Sequence, residues 1–263
     1  MSSTRCYRPK RKQYINRKSR KCRPPNPNKK SKPFQDIILY PFGKGQRRRG
    51  VEQTPDILTP ILEKYTTYRI HRLTSHDLQT VDTAKRAIHR IRMQIGKRPT
   101  ISVGGDHTIS IGSITASLRM YPNLKIVYFD AHGDINTHES SLSKNKHGMV
   151  LSYILDQGFD PRNLIYVGIR CLDAYEVTRI EQLGISYVTP NTPNMEHKVA
   201  AFVGDCPVHV SFDVDVLDES IMPWTGLPSK GGIDLSQTAR IMNRIRINTV
   251  AIDIAELNLS NPR

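Results

Sequence analysis

Five aspartates and two histidines stand in three short clusters of this 263-residue chain. They are Gly104-Gly105-Asp106-His107, Asp130-Ala131-His132-Gly133-Asp134 and Ser211-Phe212-Asp213-Val214-Asp215. Each cluster follows an apolar run with strand character. On an extended chain, side chains at i, i+2 and i+4 share a face. The spacing therefore predicts that Asp130, His132 and Asp134 point one way, as do Asp213 and Asp215. Carboxylates gathered at apolar strand ends repel one another unless a cation neutralises them. Oxygen-rich ligands with one or two imidazoles suit Mn²⁺, Fe²⁺ or Zn²⁺ better than Ca²⁺ or Mg²⁺. Seven candidate side chains exceed what one ion needs, and shared carboxylates can bridge two ions about 3.5–4 Å apart. Water held between such ions loses a proton near neutral pH, so metal-assisted hydrolysis is the reaction class this pattern suggests.

No single residue carries that argument. A lone Asp at a strand end commonly caps the next helix, and Asp106, just before Thr108, has that reading. His71, His76, His89, His138, His197 and His209 read as hydrogen-bonded core or surface residues. The weight lies in Asp-x-His-x-Asp and Asp-x-Asp occurring together, each at a strand end.

The elements that must position these residues alternate along the chain. Strands are expected at 36–40, 68–71, 100–103, 125–130, 164–168, 185–188, 208–213 and 249–254. Helices are expected at 56–65, 78–95, 109–120, 148–157, 174–183, 195–202 and 235–246. Eight strands separated by helices predict an α/β fold, a three-layer α/β/α sandwich around a mostly parallel sheet. Such sheets bind ligands beyond the carboxyl ends of their strands, where all three clusters fall.

The net charge of +15 is unevenly spread. Of 39 Lys and Arg, 13 lie in residues 1–33, which hold no Asp or Glu; the remainder has 26 basic against 24 acidic residues. Residues 1–33 are expected to form a disordered basic arm, because a Pro-rich, apolar-poor segment cannot offset its ordering entropy by burial. Contact with nucleic acid or another anionic surface is one use for such an arm. Its prolines disfavour the amphipathic helix of mitochondrial import. The apolar runs are strand-sized, so no membrane span is expected. Cys6, Cys22, Cys171 and Cys206 show no CxxC spacing, which argues against a zinc ribbon. Sparse cysteine and the lack of an apolar leader fit a cytoplasmic location.

Taken in order, GGDHT, DAHGDINT, His147-Gly148-Met149 and SFDVDVLD resemble the motifs of the ureohydrolase family, and within it the arginase branch. Residues 41–46 with Gly50-Val51-Glu52 resemble that branch's N-terminal loop. Thr225-Gly226, Gly231-Gly232 and the run Asp253 to Asn258 match its later motifs. The resemblance covers residues 36 to 260 or so, and implies an arginase-like catalytic domain over 34–263.

The resemblance implies two Mn²⁺ ions per subunit. One would be held by His107, Asp130, Asp134 and Asp213, the other by Asp130, His132, Asp213 and Asp215. It further implies that a bridging hydroxide attacks the guanidinium carbon of L-arginine to give L-ornithine and urea. Asp134 would carry a proton to the leaving amine, His147 would shuttle protons, and Glu256 would pair with the guanidinium. Asn136, Ser141 and Ser143 fall where arginases hold the substrate α-carboxylate, and Asp173 where they contact the α-amino group. Asp218 would support the site from behind the ligands. Another ureohydrolase, such as an agmatinase or guanidino-acid hydrolase, is the alternative enzyme. A weakly active relative that binds nucleic acid or serves a structural role through its arm is the alternative from another class.

Some positions depart from the family. Glu219, Trp224 and Leu227 replace residues that are usually Pro, small and Thr, the Thr being one that helps position the guanidinium pair. The sequence ends at Arg263, where relatives continue with a helix over the sheet. Apolar sheet surface left bare there makes a homo-oligomer an expectation.

Overall fold

The computed structural model describes residues 32–64 and 68–260. The expected basic arm, except for its last two residues, lies outside them. Eight strands form one sheet: β1 (Asp36–Tyr40), β2 (Arg69–Arg72), β3 (Thr100–Gly104), β4 (Lys125–Phe129), β5 (Leu164–Val167), β6 (Ser186–Val188), β7 (Val208–Asp213) and β8 (Thr249–Ala255). Their order across the sheet is β2-β1-β3-β8-β7-β4-β5-β6. Every adjacent pair is parallel, so the sheet is wholly rather than mostly parallel. Parallel strands need crossovers, and helices supply them. These are α1 (Thr54–Lys64), α2 (Val81–Ile95), α3 (Ile109–Met120), α4 (Val150–Leu155), α5 (Ala174–Leu183), α6 (Met195–Val203) and α7 (Leu235–Ile245).

The strand sequences show why both faces are covered. β4, Lys-Ile-Val-Tyr-Phe, is buried along its whole length, the near-continuous apolar run that a doubly covered strand requires. Ile126 and Tyr128 join a core with α2, α3, α4 and α5. Val127 and Phe129 join a second core with α6 and α7. α1 closes a smaller third cluster over Ile37, Leu39 and Val103. This is the expected three-layer sandwich. Along β8, Thr249, Ala251, Asp253 and Ala255 are buried, whereas Val250, Ile252 and Ile254 are only partly covered.

Helix starts follow local chemistry. Thr80, Asp173 and Asp234 each cap a helix in reciprocal boxes with Thr83, Glu176 and Gln237, which satisfies otherwise orphaned N–H groups. At the base of the sheet, buried Asp36 accepts hydrogen bonds from Arg69 and Arg98. Those guanidinium partners, with His71, outweigh burial and hold its carboxyl well below the usual carboxylate range. Among the described residues, no helix is long and apolar enough to cross a membrane.

Candidate active site

The site lies beyond the carboxyl ends of β3, β8, β7 and β4, four contiguous strands. After β3 the chain turns through Gly105, whose N–H donates to the Tyr40 carbonyl and whose carbonyl accepts from Glu256 N–H. A Cβ at this position would sit 1.8 Å from the Phe42 carbonyl oxygen, so only glycine lets β1, β3 and β8 converge here. The turn delivers Asp106 and His107. Asp106 accepts from Thr108 N–H and, at 2.6 Å, from Gly45 N–H. It therefore holds the Gly45 loop and stands outside the ligand set. Burial, reinforced by the charge of Glu256, pushes its carboxyl up to about 6.

The pleat argument for Asp130, His132 and Asp134 requires correction. β4 ends at Phe129, and the three residues lie in the following loop. Asp134 is left-handed, at φ 48°. Asp215 lies in a 3₁₀ turn, Val214–Val216, that follows β7. The loops are bent into convergence by their own hydrogen bonds. Asp130 accepts from His132 N–H at 2.6 Å, Asp213 from Asp215 N–H at 2.9 Å, and Asp215 from Ala131 N–H at 3.1 Å.

The result is two adjoining groups. His107 Nδ1 lies 3.3 Å from Asp130 Oδ2, 3.0 Å from Asp134 Oδ2 and 3.3 Å from Asp213 Oδ2. His132 Nδ1 lies 2.9 Å from Asp215 Oδ2 and 3.5 Å from Asp130 Oδ1. Ligand atoms of His107, Asp130 and Asp134 fall within 4.8 Å of one another, as do those of Asp130, His132 and Asp215. Asp130 belongs to both groups. Asp213 completes neither of these triplets but touches the first through His107. Asp130 Oδ2 is buried and accepts no hydrogen bond, an unsatisfied acceptor of the kind a cation would fill. The donor set, imidazole nitrogen with several carboxylates, fits borderline divalent ions.

The electrostatics agree with that fit. Burial, with the charges of Asp134 and Asp215, raises the Asp130 carboxyl to about 6. Burial and Asp215 push Asp213 well above the carboxylate range. Burial alone would lower both imidazoles, but the surrounding aspartates hold His107 and His132 well above the usual histidine value. Without a cation, the cluster holds protons in its place.

Arg170 braces the loop behind these ligands. It donates to the carbonyls of Gly168, Asp215, Val216, Leu217, Ser229 and Lys230. Asp218 accepts from Ser220, Gly231 and Gly232 backbone N–H groups, so it ties the next loop together and reaches the site only through that loop. The Ser220 hydroxyl, 2.6 Å away, and then these N–H groups hold its carboxyl down to about 2.

A cavity of about 1560 Å³ opens over the cluster, and His132, Asp134, Asp213 and Asp215 line its floor. Asn136, Ser141, Ser143 and Asp173 all line its wall. Asn136 Nδ2 donates to Asp173 at 2.8 Å, and the hydroxyls of Ser141 and Ser143 lie 3.4 Å apart. His147 and Glu256 form another wall, with His147 Nδ1 3.0 Å from Glu256 Oε1. Burial would lower the His147 value, but Glu256 and then Asp134 and Asp106 raise it to about 9. The structure thus brings the expected ligand, substrate-wall and proton-transfer residues together around one cleft, and leaves Asp106 and Asp218 behind it.

Others were missed. Glu176 lines the cavity, and burial beside Asp173 raises its carboxyl to about 8. The Asp-x-x-Glu spacing that forms its capping box was the available signal. Tyr128 donates to Asp134 at 3.0 Å. Gln46 Nε2 donates to Glu256 Oε2 at 2.5 Å. Leu227 is 41% exposed on the cavity rim.

Comparison with known proteins bears on this geometry. Residues 36–261 match the model of the arginase family. Arginase-1 of Oryctolagus cuniculus is 32% identical over 273 residues, 85% of this chain and 84% of that one. Arginase-1 of Homo sapiens is 31% identical with the same coverage. The crystal structure of arginase from Bacillus subtilis superposes with TM-score 0.75 at 27% identity, covering 86% of this chain and 91% of its own. That of Entamoeba histolytica arginase in complex with L-ornithine superposes with TM-score 0.76 at 26% identity, covering 87% and 92%. A putative agmatinase from Clostridium difficile shares the fold at 23% identity. With its motifs, parallel sheet and paired ligand groups in accord, the chain belongs to the arginase family.

Proposed function

We propose that this protein hydrolyses L-arginine to L-ornithine and urea with two Mn²⁺ ions per subunit. The observation that carries the reading is the pair of ligand groups sharing Asp130 at the floor of a cleft with a polar wall. In this reading His107, Asp130, Asp134 and Asp213 hold one ion, and Asp130, His132, Asp213 and Asp215 the other. Bound there, the ions supply an acidified water as nucleophile.

The chain's own groups do the rest. Glu256 pairs with the planar guanidinium, for which a carboxylate is the natural acceptor. Asp134, facing the cavity, carries a proton to the leaving amine, and His147 exchanges protons between cleft and solvent. Asn136, Ser141 and Ser143 receive the α-carboxylate, and Asp173 the α-amino group. Agmatine lacks a carboxylate and would leave the first three unused. That wall is what favours arginine over a substrate of the agmatinase type. A cytoplasmic location, a homo-oligomer, and contact of residues 1–33 with nucleic acid or another anionic surface belong to the same proposal.

The test is urea release from arginine and from agmatine, with and without added Mn²⁺, by wild type and Asp130→Asn. Arginine-specific, Mn²⁺-dependent activity lost in the variant is expected. Urea from agmatine alone would reassign the substrate.

A further inference from the structure

Behind His107 runs a buried polar chain that the proposed chemistry does not use. α3 carries Ser110, Ser113 and Ser117 on one face, spaced i, i+3 and i+7. They meet His209 and Ser211 of β7 and Asp253 of β8, where Ser211 pairs in register with Asp253. All six, with Arg92 and His107, are 0% exposed. Asp253 is the hub. Its Oδ2 lies 3.1 Å from Ser110 Oγ and 2.8 Å from His209 Nε2, and its Oδ1 lies 2.8 Å from Ser113 Oγ. Ser110 Oγ lies 2.8 Å from Ser211 Oγ, which lies 2.8 Å from His107 Nε2. On the far side, His209 Nδ1 is 2.9 Å from Ser117 Oγ, which accepts from buried Arg92 at 3.2 Å.

From Asp253 to His107 the direction of each bond follows. Burial would raise the Asp253 carboxyl, but His209 and the surrounding hydroxyls hold it below the usual range. As a carboxylate it only accepts. Ser110 must then donate to it, so the Ser110 oxygen is free to accept from Ser211. Ser211, its one proton spent on Ser110, must accept from His107. His107 Nε2 is therefore the donor to Ser211, which leaves Nδ1 as the nitrogen that faces Asp130, Asp134 and Asp213 and would ligate an ion once it sheds its proton.

We propose that Asp253 is a positioning residue for His107, acting through Ser110 and Ser211 to fix its tautomer and present Nδ1 as a metal ligand. Ligating histidines commonly donate their other N–H to a carboxylate, and loss of that partner weakens metal binding. Here two serines carry the same influence from a carboxylate farther away. Ser113 supplies an internal control, since it touches Asp253 but not Ser211.

The inference rests on reading His107 as a metal ligand. Its test is calorimetric titration of chelator-stripped full-length protein with Mn²⁺. Wild type is expected to take up two ions. In Ser110→Ala, the freed Ser211 hydroxyl can turn toward His107, and one ion should bind roughly tenfold more weakly while the other is unchanged. Asp253→Asn, whose amide donates as well as accepts, should show the same one-site loss; Ser110→Ala decides the matter if that variant does not fold. Ser113→Ala should bind as wild type. Wild-type affinities in Ser110→Ala, or an equal loss in Ser113→Ala, would overturn the relay and leave the metal site standing. Failure of wild type to bind Mn²⁺ would remove both.

Discussion

Gln46 and Glu256, 210 residues apart in sequence, are joined by a hydrogen bond from the amide Nε2 to Oε2 at 2.5 Å. The other oxygen of Glu256 accepts from His107 N–H at 2.9 Å and meets His147. The carboxylate proposed to pair with the guanidinium is thus gripped at both oxygens. Replacing Gln46 with Leu frees one of them. A hydrogen bond to a charged group is worth about 1.5–3 kcal/mol, so kcat/KM for arginine should fall about tenfold or more, mainly through KM. Steady-state kinetics check this; unchanged KM would mean that Gln46 has no part in aiming Glu256.

The pairing of His147 with Glu256 has a pH signature in metal-stripped protein. The ordinary histidine value is 6.5 and the folded value about 9, so the folded state holds this proton more tightly than the unfolded one. The resulting stability is whole below about pH 6.5 and is lost as pH climbs through 9. Its size is about 3 kcal/mol. Denaturant unfolding between pH 6 and 10 should show the decline, and His147→Phe should remove that part of it.

Metal binding should expel protons. Asp130, Asp213, His107 and His132 all have raised values in the metal-free cluster, and ligands must shed protons to coordinate. Apparent Mn²⁺ affinity should therefore rise with pH from 6 to 8. Titration in buffers of differing ionisation heat gives the proton count, and a count of zero contradicts the assignment of these residues as ligands.

Arg170 offers a test of the brace. Alanine there removes a donor from six carbonyls, three of them at residues 215–217, where Val216 keeps the Ile233 N–H. Water re-solvates some, so a loss of about 3 kcal/mol is expected rather than the sum of the bonds. Lysine should rescue little, because an ammonium cannot span the fork. Thermal unfolding measures the loss, and faster amide exchange at Val216 and Leu217 would locate it.

The elements were largely legible because apolar runs and caps mark them. β1, β7, α3 and α5 match their expected bounds, and each begins or ends at a polar or glycine punctuation. α2 starts at Val81 rather than 78 because Thr80 and Thr83 form a cap there. The clustered histidines and aspartates were legible by type and order, but the reason for their convergence was not. Period-two alternation assumes strand, whereas Asp134 and Glu256 occupy left-handed backbone at φ 48° and 64°. Nothing in local sequence announces that for residues with a Cβ. Contacts such as Gln46 with Glu256 depend on strand order, which pattern alone leaves open.

That strand order carries a consequence for how the molecule comes into being. The last two of the described strands in sequence, β7 and β8, wedge between β3 and β4. Until they pair, no sheet connects the segments bearing His107 and Asp130, which in the finished sheet stand at the ends of β3 and β4, three inter-strand spacings or about 14 Å apart. The histidines of the site thus all precede in sequence the strands that draw them together. The site closes only when β7 and β8 have paired, and long-range pairing of that kind is slow.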